Sequence, residues 1–241
     1  MPTVLPMELL TESLQLSKSK AQAQLEQYRS IQLRFSRRVF LIPDLQDPNA
    51  SSWASRQGQP NSLKGWVEQI FQNPENFFIL NFWKEAQICP ELFQLAERLN
   101  RKLLALTDRQ PLDVIAIGSG NLILRAWRMK YSDLPAVHRC ISIHPKMESM
   151  PSVRGSHDFK AEIERLDQVE ERRRFLERIQ SLIQIMAPFP SADGSSILKK
   201  AGIEKIYEQK VQDGVWNNGL SKESMGTDPR MILLIVRVLT H

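Results

Sequence analysis

The stretch that most constrains this chain is Asp113-Val-Ile-Ala-Ile-Gly-Ser-Gly-Asn-Leu-Ile-Leu-Arg-Ala-Trp127. Leu112–Ile117 is a continuous apolar run with almost no polar interruption. Such a run predicts a strand covered on both faces, as in a parallel sheet. Gly118-Ser119-Gly120-Asn121 predicts a tight turn, and Leu122–Lys130 reads as a helix. A buried strand that passes through a glycine-rich turn into a helix implies crossovers, layers and a sheet with helices on both sides.

The flanking sequence repeats that alternation. Arg38–Ile42 reads as a strand stopped by Pro43 and Asp44. Residues 43–62 form a polar loop, and Ser62 caps a helix over Leu63–Gln72. Phe77–Phe82 is a second strand, Pro90–Leu106 a helix with leucines at helical spacing, and Val137–Ile143 a fourth strand. Strand and helix thus alternate through residue 145. The expected fold class is α/β, with a mostly parallel central sheet and helices on both faces.

Outside that core, residues 7–34 read as an amphipathic N-terminal helix. Asp158–Met186 reads as a long charged helix, roughly 43 Å at 1.5 Å per residue. The expected organisation is an N-terminal helical segment over 1–36 and one domain over 37–241, with 150–200 as a helical cap or insertion. Ile203–Tyr207 and Met231–Leu239 are apolar enough to pack, the latter as strand or helix.

Composition narrows the class. The chain has 241 residues, 42% apolar and 24% charged, which suits a globular domain with a sizeable core. No apolar run is long enough for a membrane span, and no secretory leader is recognisable. Two cysteines, Cys89 and Cys140, make no disulfide framework, so reduced thiols in a cytoplasmic, reducing compartment are expected. Net charge is +5, but the basic knots (Arg34/Arg37/Arg38, Arg98/Arg101/Lys102, Arg125/Arg128/Lys130 and Arg172–Arg174) are dispersed among acids or along helical faces. A solvated surface therefore outweighs nucleic-acid binding. The spacing of His138, His144 and His157 matches no zinc site, and no metal or cofactor is expected.

Three chemistries use a strand–turn–helix of this kind. An anion or nucleotide binder would use the N–H groups of the Gly118–Asn121 turn and the helix dipole. The dinucleotide fingerprint is incomplete, because Ile stands at position 123 where a third glycine belongs, and there is no Walker lysine. A serine hydrolase would use the turn as a nucleophile elbow.

The order of motifs resembles the lipase-like and serine-esterase-like α/β-hydrolases, including hydrolase-like domains at the N-terminus of some fungal nucleotide-binding immune-type receptors. RVFLIPDLQD (Arg38–Asp47) is similar to that family's first strand ending in His-Gly-Leu. Ser62–Phe71 with Trp66 is similar to its following helix, and NPENFFILNFW (Asn73–Trp83) to its next strand. DVIAIGSGNLILRA is similar to its elbow, and CISIHPK (Cys140–Lys146) to the strand after it. The similarity covers about residues 37–147.

The resemblance implies a site and also its damage. Anchored on Gly120-Asn121-Leu122-Ile123-Leu124-Arg125, the nucleophile position falls on Gly118, which has no side chain. Shifted by one residue, Ser119 becomes the nucleophile, but Ile117 and Asn121 then replace small flanking residues. The first register fits better. Pro43-Asp44-Leu45 occupies the place of the oxyanion loop, where a proline removes one N–H and an inward Asp44 would oppose an oxyanion. Asp213, in Gln212-Asp213-Gly214-Val215, and His241 stand where the acid and base would follow. Their plainer readings are a turn residue and a chain terminus. The expected function is a catalytically degenerate domain that binds a protein partner or ligand. The alternatives are an active esterase using Ser119, Asp213 and His241 on an acyl or ester ligand, and an anion binder at the turn. A chain ending at His241 also suggests a hydrolase-like domain cut short.

Overall fold

The structure is a computed structural model that describes residues 12–45, 47–48, 50, 53–54, 61–88, 91–131, 135–143, 162, 165–166, 168, 179–186, 206–210 and 226–240, the stretches 179–186 and 206–210 by their backbone. In chain order the elements are α1 (Lys18–Ile31), β1 (Arg38–Ile42), α2 (Leu63–Ile70), β2 (Phe77–Ile79), α3 (Trp83–Ile88), α4 (Leu92–Thr107), β3 (Leu112–Ile117), α5 (Gly120–Lys130), β4 (Val137–Ile143), β5 (Ile179–Met186), β6 (Ile206–Lys210) and α6 (Pro229–Thr240). The strands form one sheet in the order β2-β1-β3-β4-β5-β6, with every pairing parallel. The α/β architecture expected from the alternation of runs is present.

The central strands carry apolar residues on both sides because both sides are covered. Val39, Leu41, Ile115, Ile117, Ile141 and Ile143 pack with α1, α2 and α6 on one face. Phe40, Ile42, Val114, Ala116 and Cys140 pack with α3, α4 and α5 on the other. The split follows from topology. The chain leaves β1 toward β2, then turns back across β1 to reach β3. Right-handed crossovers running in opposite directions send their helices to opposite faces. The two crossovers therefore part between β1 and β3, at the carboxyl edge of the sheet. In open α/β sheets this is the usual ligand position.

Three elements depart from the sequence reading. The helix expected over 7–34 is broken near Leu16–Ser17. Ser17 Oγ accepts the Lys20 N–H at 3.3 Å and starts α1, which ends at Gln32 with φ 53°. Residues 7–11 lie outside the described residues. The strand expected over Phe77–Phe82 stops at Ile79, because Asn81 Oδ1 accepts the Trp83 N–H at 2.9 Å and nucleates α3. The helix expected over 158–186 gives way to β5 at Ile179, where the backbone joins the β4 ladder. The C-terminal apolar run is a helix, and residues 230–239 are all buried. A helix that is apolar nearly all round requires such cover, and α1 and α2 help to provide it.

The two arginines inside α6's reach are matched by partners. Arg237 donates to Ser13 Oγ at 2.7 Å and Gln24 Oε1 at 2.8 Å, tying the N-terminal segment to α6. Arg230 binds Asp228 with Nε and a terminal nitrogen, at 3.0 and 2.9 Å.

Candidate functional site

Register brings the two loops together. Ile42 pairs with Ala116 and Ile117 pairs with Ile143. The chain therefore emerges from β1 at Pro43-Asp44 directly beside the turn after β3. Pro43-Asp44-Leu45 and Gly118-Ser119-Gly120-Asn121, separated by some seventy residues of sequence, form one compact knot at the carboxyl edge of the sheet. Asp44 and Leu45 are buried, at 3% and 1% exposure.

The two glycines are there because the β1 loop lies on the turn. Gly118 has φ 53°, and a Cβ there would lie 2.3 Å from Asp44 Oδ2. A Cβ on Gly120 would lie 2.5 Å from the Ile42 carbonyl oxygen. Neither approach leaves room for a methyl group. The left-handed apex of the turn is thus Gly118, one residue before the serine, and Ser119 already has helical dihedrals at φ −68° and ψ −14°.

Ser119 is 0% exposed, and its hydroxyl is engaged on both sides. Oγ donates to Asp44 Oδ1 at 2.6 Å and accepts the Leu45 N–H at 2.9 Å. The first is at the short end of the O–H···O range. The second uses the backbone N–H of Leu45 in the loop after β1. Pro43 has no N–H to offer. The carboxylate also lies at the amino end of α5, where the helix dipole favours negative charge. The β1 loop and the turn after β3 thus satisfy each other's polar groups.

Asn121 completes the knot. Its Nδ2 donates to the Ala116 and Gly118 carbonyls at 3.1 and 3.0 Å, and its Oδ1 accepts from Ser142 Oγ at 2.6 Å. The Gly118 N–H reaches the Ile143 carbonyl at 2.9 Å. An amide has donors and an acceptor on one group, so a single side chain can join β3, the turn and β4. The sequence reading took Asn121 as a damaged small-residue position and missed this role. The available signal was a polar residue ahead of the apolar Leu122–Leu124.

Asp213 and His241 lie outside the described residues, as do His144 and His157. The described histidine, His138, is the second residue of β4. It is five residues from Ile143, or about 16 Å along the strand, at the opposite edge of the sheet from Ser119. Among the described residues no group of three or more His, Cys, Asp or Glu side chains is placed to hold a metal ion. No described helix is long and apolar enough to cross a membrane.

One basic knot is not a solvated face. Arg125 and Arg128 are buried, at 8% and 3% exposure. Arg125 donates to the Leu166 carbonyl. Arg128 donates to the Pro135 carbonyl at 3.3 Å and lies 5.1 Å from the Trp127 ring centroid. They join α5 to its neighbours.

No protein-family model matches the chain, and no curated protein or solved structure matches it.

Proposed function

We propose that this chain is a catalytically degenerate α/β-hydrolase-like domain that works as a binding module, with a protein as its partner. The observation that carries the reading is the closed knot of Asp44, Leu45 and Ser119. A nucleophile must reach the substrate's carbonyl carbon, and a fully buried hydroxyl cannot do so. An oxyanion hole must leave its N–H donors available, and the Leu45 N–H is committed to Ser119. The order of motifs along residues 37–147 supports a hydrolase-like ancestry, and the contacts of Ser119 and Asp44 support the loss of hydrolysis.

The same geometry weighs against the other two readings. An active esterase would have to open the β1 loop before Ser119 met an acyl or ester ligand. An anion binder would have to displace a carboxylate already seated at the amino end of α5.

The test is labelling of the full chain with a fluorophosphonate probe, with adducts mapped by mass spectrometry. The expected outcome is no adduct at Ser119, and 4-nitrophenyl ester turnover no greater than that of Ser119→Ala. An adduct at Ser119, or turnover abolished by Ser119→Ala in a folded protein, would sink the proposal.

A further inference from the structure

A second polar cluster lies at the opposite, amino edge of the sheet and takes no part in the knot at Ser119. Its centre is Asp113 on β3, 2% exposed among apolar neighbours. The β3–β4 ladder slips there: Leu112 pairs with Val137, but Asp113 pairs with Arg139, so His138 is an extra residue without a counterpart on β3. An irregularity of this kind re-aims side chains. His138 Nδ1 is brought to 3.4 Å from Asp113 Oδ1. The same carboxylate oxygen accepts the Arg139 backbone N–H at 3.1 Å. The Arg139 guanidinium in turn donates to the Val238 carbonyl at 2.9 Å, in the last turn of α6. A cation at a helix carboxyl terminus is favourably placed for both the unpaired carbonyls and the dipole.

We propose that Asp113, His138 and Arg139 form a proton-sensitive clasp on the carboxyl end of α6, closed at neutral pH and loosened by acid. Three cations converge on one buried carboxylate if His138 is protonated. Among the described residues, the charged and titratable groups facing His138 are Arg37 just ahead of β1, Asp113 on β3 and Arg139 on β4. From α6 the cluster receives the Val238 carbonyl, while Arg237 turns to Ser13, Gln24 and Glu12. A proton on His138 adds repulsion against Arg139 and competes with the Arg139 N–H for Asp113 Oδ1. Both effects fall on the residue that holds α6.

The titration agrees in sign. Burial, and then the Arg37 charge, hold the His138 imidazole below its ordinary 6.5, against the opposing pull of Asp113. A depressed pKa means that stability is present above 6.5 and is lost as pH falls through the lower folded value. Asp113 acts oppositely: burial raises its carboxyl above 3.8, against the pull of Arg139, His138 and Arg37. Its contribution is present below 3.8 and is lost as pH rises through the raised value. A substitution at His138 alone separates the two.

The experiment is hydrogen–deuterium exchange on the full chain at about pH 7.5 and about pH 5.5, with rates corrected for intrinsic exchange, read on peptides covering 229–240. In the wild type, protection of the last turn of α6 should fall several-fold, because the His138 imidazole takes up its proton less readily in the folded state. In His138→Gln, which cannot take up a proton, it should fall less than about twofold. A wild type without pH dependence, or a His138→Gln variant that loses as much, overturns the clasp. If His138→Gln does not fold, the wild type is titrated by NMR. The Val238 and Leu239 amide shifts should then follow the His138 imidazole with one midpoint below 6.5, and separate midpoints overturn the proposal.

Discussion

Gly118 is the residue at which backbone and packing constraints coincide. Its φ of 53° disfavours any side chain, and Asp44 Oδ2 occupies the space a Cβ would need. Gly118→Ala should therefore destabilise the protein by at least about 2 kcal/mol, since left-handed backbone alone costs about 1–2 kcal/mol for a residue with a Cβ. Urea unfolding measures it. Removing the obstacle should recover part of the loss. In a double-mutant cycle with Asp44→Ala, a coupling of about 0.5–3 kcal/mol is expected. Strict additivity would show that Asp44 does not sit against Gly118. Ser119→Ala should itself cost about 1–3 kcal/mol, because the buried Asp44 carboxylate and Leu45 N–H both lose a partner. An unchanged or raised denaturation midpoint would argue that the serine is not tied into the knot. The glycines and the serine were legible in the sequence as a turn. That Asp44 lies against them was not, because nothing local in Pro43-Asp44-Leu45 says which way the carboxylate points.

At the scale of elements, helix ends and strand ends were set by side chains that periodicity does not weigh. Ser17 splits what looked like one amphipathic helix, and Asn81 turns the end of an apparent strand into α3. Ser17→Ala should cost about 1 kcal/mol, the usual worth of an N-cap. Arg237→Met should cost about 1.5–3 kcal/mol, the range for hydrogen bonds to a charged group, and should speed limited proteolysis within residues 12–31. Cleavage at the wild-type rate would mean that the N-terminal helix holds to α6 without Arg237. The error at β5 has a different origin. Charged residues run from 158 to 178, then Ile179-Gln-Ser-Leu-Ile-Gln-Ile-Met186 contains none. That change of composition was readable, but helical spacing of Ile163, Leu166, Val169, Leu176, Ile179 and Ile183 carried the helix through it. The β4 edge decided otherwise, because pairing there satisfies a ladder of backbone groups that a continued helix would leave open.

At the scale of the whole molecule, helices cover both faces of β1, β3 and β4, so groups between those layers are removed from water. Cys140, between β4's neighbours and the α4–α5 layer, is fully buried, and burial pushes its thiol up to about 12. The native protein should therefore leave Cys140 unmodified by N-ethylmaleimide at neutral pH and expose it only on unfolding, as mapped by mass spectrometry. Rapid native labelling at Cys140 would contradict the layer order. The α/β class, the β1, β3 and β4 spans and the glycine turn were determined by the sequence, because apolar runs, glycine and capping serine act over a few residues. Tertiary structure alone decided that α6 is a helix and that 179–186 is a strand. It also brought Asp44, after β1, to Ser119, after β3, and aimed His138 at Asp113 through a slipped ladder. These outcomes depend on which segments become neighbours, and strand order and register settle that only when the sheet is assembled.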